Sequence, residues 1–245
     1  MNFFTHFGKY LILIGHCFTR PEKLSMYWKE MMRQMNDIGV GSLSIIVMIS
    51  FFIGAVTAVQ TAFQLLTSII PQYYVGYIVR DSMFLELAPT ISCLVLAGKV
   101  GSNLASELGT MRISEQIDAL EIMGVNSASY LIGPKLIAAV TMIPLLVIIS
   151  SVLGMAGGYG AVAASAALDN TMYIKGLNYL FRPFYITIMF SKSVVFAFIL
   201  TSISCYQGYY VRGGALEIGK ASTRAVVYSS VMILVADYLL ALILT

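Results

Sequence analysis

The sequence predicts an all-α membrane protein: N-terminal interfacial helices, five transmembrane helices and a short coupling helix outside the lipid. Three observations predict it. The 245 residues are 58% hydrophobic and 11% charged, with a mean hydropathy of +0.83, more apolar surface than a soluble chain this long has interior to bury. No charged residue occurs between Asp37 and Arg80, ample room for the roughly 20 apolar residues that cross the hydrocarbon. Residues 86 to 124 begin apolar, with Ala97, Gly101, Ala105 and Gly109 four apart, a spacing that lets another backbone come close. The same stretch ends with Ile113, Ile117 and Leu120 on one side of a helix and Ser114, Glu115, Asp118 and Glu121 elsewhere.

The elements follow in order. Phe3, Phe4, Phe7, Tyr10, Leu11 and Ile14 fall at helical spacing, as expected of an interfacial helix. Pro21 marks a break, after which Leu24, Trp28, Met31 and Met35 repeat the pattern, with the single tryptophan suited to the headgroup zone. Residues 1–40 are thus an interfacial segment and 41–245 a five-helix membrane domain. The spans are expected at about 42–68, 82–106, 136–165, 184–207 and 224 to the end. Pro144 and the cluster Gly154, Gly157, Gly158 and Gly160 are expected to interrupt the third. The coupling helix is placed at about 107–124. The apolar run Leu11 to Ile14 is too short for a cleavable signal. Cys17, Cys93 and Cys205 have neither metal nor disulfide spacing and read as reduced packing residues.

Basic residues set the orientation. Lys9, Arg20, Lys23, Lys29 and Arg33 precede the first span, and Arg112, Lys135, Arg212 and Lys220 lie in the loops on that side; the other side carries Arg80, Lys175 and Arg182. The N-terminus is therefore expected in the cytoplasm and the C-terminus outside. A net charge of +3 spread along the chain gives no footprint for nucleic acid.

Three ionisable residues fall inside predicted spans in their outer half: Glu86, Lys192 and Asp237. Such charges face a partner or a polar cavity. Lys192 and Asp237 each lie about eight residues below an outer helix end, roughly 12 Å deep, which suits an ion pair; Glu86 has no evident partner at its depth. Gly214 to Ala221 comes close to a phosphate-binding loop but ends in Ala221 rather than a hydroxyl residue and follows no strand, so it is rejected. His6 and His16 read as surface residues, and no nucleophile with a base is apparent.

Several separated motifs resemble the MlaE family of ABC permeases, the membrane subunits of MCE-type lipid transporters: Glu86-Leu87-Ala88-Pro89, Ala97-Gly98-Lys99-Val100-Gly101, Glu107-Leu108-Gly109-Thr110-Met111-Arg112, and Glu115 to Glu121 with Met123-Gly124. Gly213-Gly214-Ala215, Thr223 to Val227, Lys192 to Phe196 and Asp237-Tyr238 extend the likeness. Leu85 stands where members of the family often have an arginine. The resemblance implies a homodimer with a cytoplasmic ATPase subunit that binds the ATP and magnesium, an MCE-domain protein at the outer face, and phospholipid as cargo at a bacterial inner membrane. No cofactor or metal is implied in this chain. It also implies that Arg112, Glu115, Asp118 and Glu121 couple to the ATPase, and that Phe52, Val56, Val59, Gln60, Phe63, Glu86 and Leu87 line a lipid pocket. The rival reading is a secondary transporter or ion channel that uses Glu86, Lys192 and Asp237 as an ion path; five non-repeated spans argue against it.

Overall fold

The computed structural model describes residues 3–17, 24–65, 71–165 and 169–244, and every regular element among them is helical. The helices are α1 (Phe3–Cys17), α2 (Leu24–Ile38), α3 (Val40–Leu65), α4 (Tyr74–Ile113), α5 (Gln116–Ile122), α6 (Ser127–Ser165), α7 (Asn170–Asn178), α8 (Phe184–Tyr209) and α9 (Ala215–Leu244). Five stretches are long and apolar enough to cross a membrane: Tyr27–Leu65, which contains α3, and the helices α4, α6, α8 and α9. Pro21, Arg20 and Lys23 lie outside the described residues, as do the side chains of Phe3 and Leu24.

Three spans begin earlier than expected because charges near their ends are paired within the helical segments, two of them buried. Arg80, in the second turn of α4, is 2% exposed. In α6, Lys135 is 1% exposed and its Nζ sits 2.5 Å from Glu107 Oε2. At the start of α9, Glu217 takes Lys220 at 2.6 Å and Arg224 at 3.6 Å, so the Gly214–Ala221 segment forms the first turns of that helix.

The expected interruption of the third span is absent: α6 runs unbroken through Pro144 and the glycines. One proline removes a single donor, which a membrane helix tolerates. The glycines serve packing instead. A Cβ on Gly54 would strike the backbone of Gly154, and one on Gly157 the backbone of Phe51. The coupling region, expected as one helix over 107–124, is also divided. Helix α4 carries through to Ile113, Glu115 adopts a left-handed φ of 60°, and α5 restarts at Gln116.

The chain forms two compact units. One comprises Met1–Ser42, Cys93–Ile143 and Val195–Leu239. In it α1 packs on α8, with His6 Nδ1 and Tyr206 OH 2.8 Å apart and Tyr10 OH and Ser202 Oγ 2.8 Å apart. Phe4, Phe7 and Leu11 stay exposed, the apolar face of an interfacial helix. The small residues of α4 do bring a backbone close: Ala97 and Ala105 are fully buried, and a Cβ on Gly208 of α8 would lie 2.6 Å from the Ala105 carbonyl oxygen. Cys17, Cys93 and Cys205 are buried free thiols.

The other unit comprises Leu43–Ser92, Pro144–Val194 and Leu240–Thr245. Ser150 of α6 has its hydroxyl 2.7 Å from that of Ser50 on α3 and 2.9 Å from that of Ser92 on α4. Inter-helix polar ties of this kind hold membrane helices together by about 0.6 kcal/mol each. Helix α7, capped by Asp169, lies across the first turns of α4: Gly76 meets the Tyr173 carbonyl and Gly176 the Tyr73 carbonyl, contacts with no room for a Cβ. The Thr171 hydroxyl and amide hold the Asp169 carboxyl below its ordinary pKa.

Candidate functional site

The intramembrane charges come first. Residues Met83–Ile91 of α4 form a π-helical stretch around Pro89. A wider turn accommodates a residue that cannot donate to the helical ladder, and such turns recur at functional sites. Glu86 sits in it. Its Oε1 is 2.8 Å from Lys192 Nζ, which also donates to the Leu85 carbonyl at 3.0 Å. The missing partner of Glu86 is therefore Lys192. The two ends differ in setting: the Lys192 side chain is 1% exposed, the Glu86 carboxylate side chain 50%. A charge withdrawn from solvent is anchored to one that still meets its surroundings. Asp237 lies on α9, in the first unit.

The predicted pocket residues line up on α3 of the second unit. Phe52 is 62% exposed, Val56 56% and Phe63 62%. Gln60 is exposed on the same helix, Val59 is half-buried, and Leu87 is half-buried on α4 beside Glu86. A run of large apolar side chains thus faces out of the chain at the second unit's exposed surface, with Gln60 as its polar member. Such a face suits acyl chains or a second apolar surface.

The coupling residues sit in the first unit. Arg112 Nη1 is 2.8 Å from Asp118 Oδ1 and its guanidinium lies over the Tyr209 ring. Glu121 Oε1 accepts from Ser127 Oγ at 2.9 Å and from Tyr209 OH at 3.0 Å. Ile117 is fully buried. Three of the four predicted coupling residues therefore fix α5 to the ends of its neighbours. Its exposed residues include Glu115, Gln116 and Ala119, and at its tip the large apolar side chains Ile122 (88% exposed) and Met123 (67%). The Ile122–Met123 tip was missed in the sequence reading, which followed charge; two large apolar residues just before a glycine at φ 80° were the available signal.

Arg80 was missed as well. It donates to the carbonyls of Leu177 and Tyr179 at 2.7 and 2.8 Å and pairs with Asp81 at 2.8 Å, with the rings of Tyr77 and Phe181 on either hand. A guanidinium can serve several acceptors at once, so this residue locks α7 and the turn after it onto α4. Around it Tyr73, Tyr74, Tyr77 and Tyr179 form an aromatic cluster.

Known proteins give the arrangement a family. The family model described as Permease MlaE matches residues 31–243. A protein of Rickettsia bellii named as a probable ABC transporter permease is 37% identical over 95% of this chain and 90% of its own length. The Haemophilus influenzae protein named as the intermembrane phospholipid transport system permease MlaE is 30% identical over 100% of this chain and 94% of its own. A chloroplastic Arabidopsis thaliana protein, TRIGALACTOSYLDIACYLGLYCEROL 1, is 33% identical over 94% of this chain and 65% of its own. With a family match over nearly its whole length and relatives of comparable extent, this multi-pass membrane chain belongs to the MlaE permease family.

Proposed function

We propose that the chain is the membrane-spanning subunit of an ABC transporter that moves phospholipid between the inner membrane and the outer-membrane side of a bacterial envelope. The observation that carries this reading is the family match over residues 31–243, together with relatives named as ABC permeases and, in Haemophilus influenzae, as a phospholipid transport permease. The chain works as a homodimer, with N-terminus in the cytoplasm and C-terminus outside. A separate cytoplasmic ATPase binds ATP and magnesium and does the hydrolysis; an MCE-domain protein receives or delivers lipid at the outer face.

The geometry is what such a subunit needs. The exposed α3 face offers acyl chains an apolar wall, and Gln60 and Glu86 supply the few polar groups that orient a headgroup. Lys192 holds Glu86 in place. The α5 tip offers Ile122, Met123 and Glu115 to a groove on the ATPase, in the helix-in-groove mode. The ion-path reading is less favoured, because Lys192 is held by a carboxylate and a carbonyl at hydrogen-bond distance and the family is one of ABC permeases.

Co-purification tests the assignment. The tagged chain, extracted from native membrane, is expected to bring down an ATPase in stoichiometric amount. Ile122→Asp with Met123→Asp is expected to release it while leaving the chain in the membrane. A chain that purifies alone, or a double variant that retains the ATPase in full, contradicts the proposal.

A further inference from the structure

A second polar region lies in the first unit. Gln34 and Asp37 of α2, Ser42 of α3, Lys99 and Asn103 of α4 and Ser222 of α9 line a cavity of about 660 Å³. Its polar groups are unevenly used. Ser42 is fully buried, and neither its Oγ nor the buried Oγ of Ser222 has a hydrogen-bond partner among the described residues. Buried hydroxyls are nearly always satisfied, so two unpaired ones on residues that line one cavity point to a ligand there. Lys99 stands on a second π-helical turn, Ala97–Gly101, and gives one of its three donors to the Gly41 carbonyl. Gln34, on the cavity wall, donates its amide nitrogen to Glu30 at 2.9 Å, so its amide oxygen is the acceptor it can offer a ligand. Asp37 brings a carboxylate to the same space.

The ligand must satisfy both halves of this set. Lys99, Ser42 and Ser222 offer donors to an anionic oxygen; Asp37 and the Gln34 amide oxygen accept from a cation. A simple anion meets the Asp37 charge and a simple cation the Lys99 charge, whereas a zwitterion answers both. The cation must also carry N–H groups, because the acceptors are a carboxylate and an amide. No aromatic side chain lines the cavity among the described residues, and a quaternary ammonium is recognised by aromatic faces. We infer that this cavity binds the phosphoethanolamine headgroup of a phospholipid, with its phosphate on Lys99, Ser42 and Ser222 and its ammonium on Asp37 and Gln34. Given the proposed orientation the lipid belongs to the cytoplasmic leaflet. The inference deepens the lipid-transport reading and rests on it for the source of the ligand.

Native mass spectrometry of the purified complex tests it, titrated with dioleoylphosphatidylethanolamine, dioleoylphosphatidylcholine and water-soluble phosphoethanolamine. The wild type is expected to hold the ethanolamine lipid about tenfold more tightly than the choline lipid, the worth of one charge-assisted hydrogen bond. Asp37→Asn should abolish that preference and Lys99→Gln should weaken the ethanolamine lipid by a similar factor. Both side chains are exposed, so neither change threatens the fold; Ser42→Ala adds a buried probe. Equal affinity for both lipids, or an Asp37→Asn variant that keeps the preference, overturns the site. Binding of soluble phosphoethanolamine as tight as that of the lipid overturns its assignment to the bilayer. Lipid transfer is measured on the same preparation to separate the two readings. A wild type that transfers lipid beside an Asp37→Asn variant with an intact preference sinks the cavity alone. A wild type that transfers nothing, yet loses its preference with Asp37→Asn, sinks the transport reading and leaves the site standing.

Discussion

Lys192 has almost no contact with solvent, and its ammonium faces the Glu86 carboxylate and the Leu85 carbonyl. Removing one member strands the other in a low-dielectric setting. Glu86→Gln is therefore expected to lower the melting temperature of the purified protein, and the double change Glu86→Gln with Lys192→Met to cost less than the sum of the single ones by about 1 kcal/mol or more. Strictly additive losses would deny the pair. Arg80 poses a related case without a compensating double change. Arg80→Lys keeps the charge but loses the fork that reaches Leu177, Tyr179 and Asp81 together. It is expected to cost about 2 kcal/mol and to open the turn between α7 and α8 to protease. Unchanged melting and cleavage would show that the guanidinium geometry is not what holds α7.

At the scale of elements, the coupling region turns on one residue. Glu115 lies in the left-handed region, where a side chain costs about 1 kcal/mol and glycine does not. Glu115→Gly is expected to leave stability equal or raise it, and Glu115→Val, with a branched Cβ, to lower it; calorimetry of the two variants reads the sign. If valine is tolerated as well as glycine, the break between α4 and α5 is not conformationally set. This break was hard to read in the sequence, since the apolar spacing of Ile113, Ile117 and Leu120 continues across it. The long elements were easier to read. All five spans fall where the apolar runs lie, because every 20-residue crossing must be apolar whatever it packs against. Their starts were misjudged at Tyr74, Ser127 and Ala215 because Arg80, Lys135 and Lys220 look like loop charges until their partners are seen. The glycines of α6 read as an interruption for a similar reason: only the approach of α3 shows that they are contact points.

Across the whole molecule, sequence and structure divide the evidence for the site. The motifs around Glu86, Lys99 and Glu115 pointed to the family, and the pocket residues of α3 came with that resemblance. The Glu86–Lys192 pair was not, because 106 residues separate its members and a depth estimate favoured Asp237. The unsatisfied hydroxyls of Ser42 and Ser222 could not be read at all, since a serine in a small-residue helix looks the same satisfied or not. The central claim is that this chain passes lipid along the exposed face of α3 under the drive of a separate ATPase. The direct measurement is transfer of labelled phospholipid between proteoliposomes containing the complex and acceptor protein, with ATP turnover and proton flux followed in parallel. Val56 is more than half exposed, so Val56→Trp adds bulk to the path without disturbing the chain's own packing. Lipid transfer by the wild type, blocked by Val56→Trp while ATP turnover continues, is the predicted result. A wild type that transfers no lipid but conducts protons, with that flux lost in Glu86→Gln, would contradict the account.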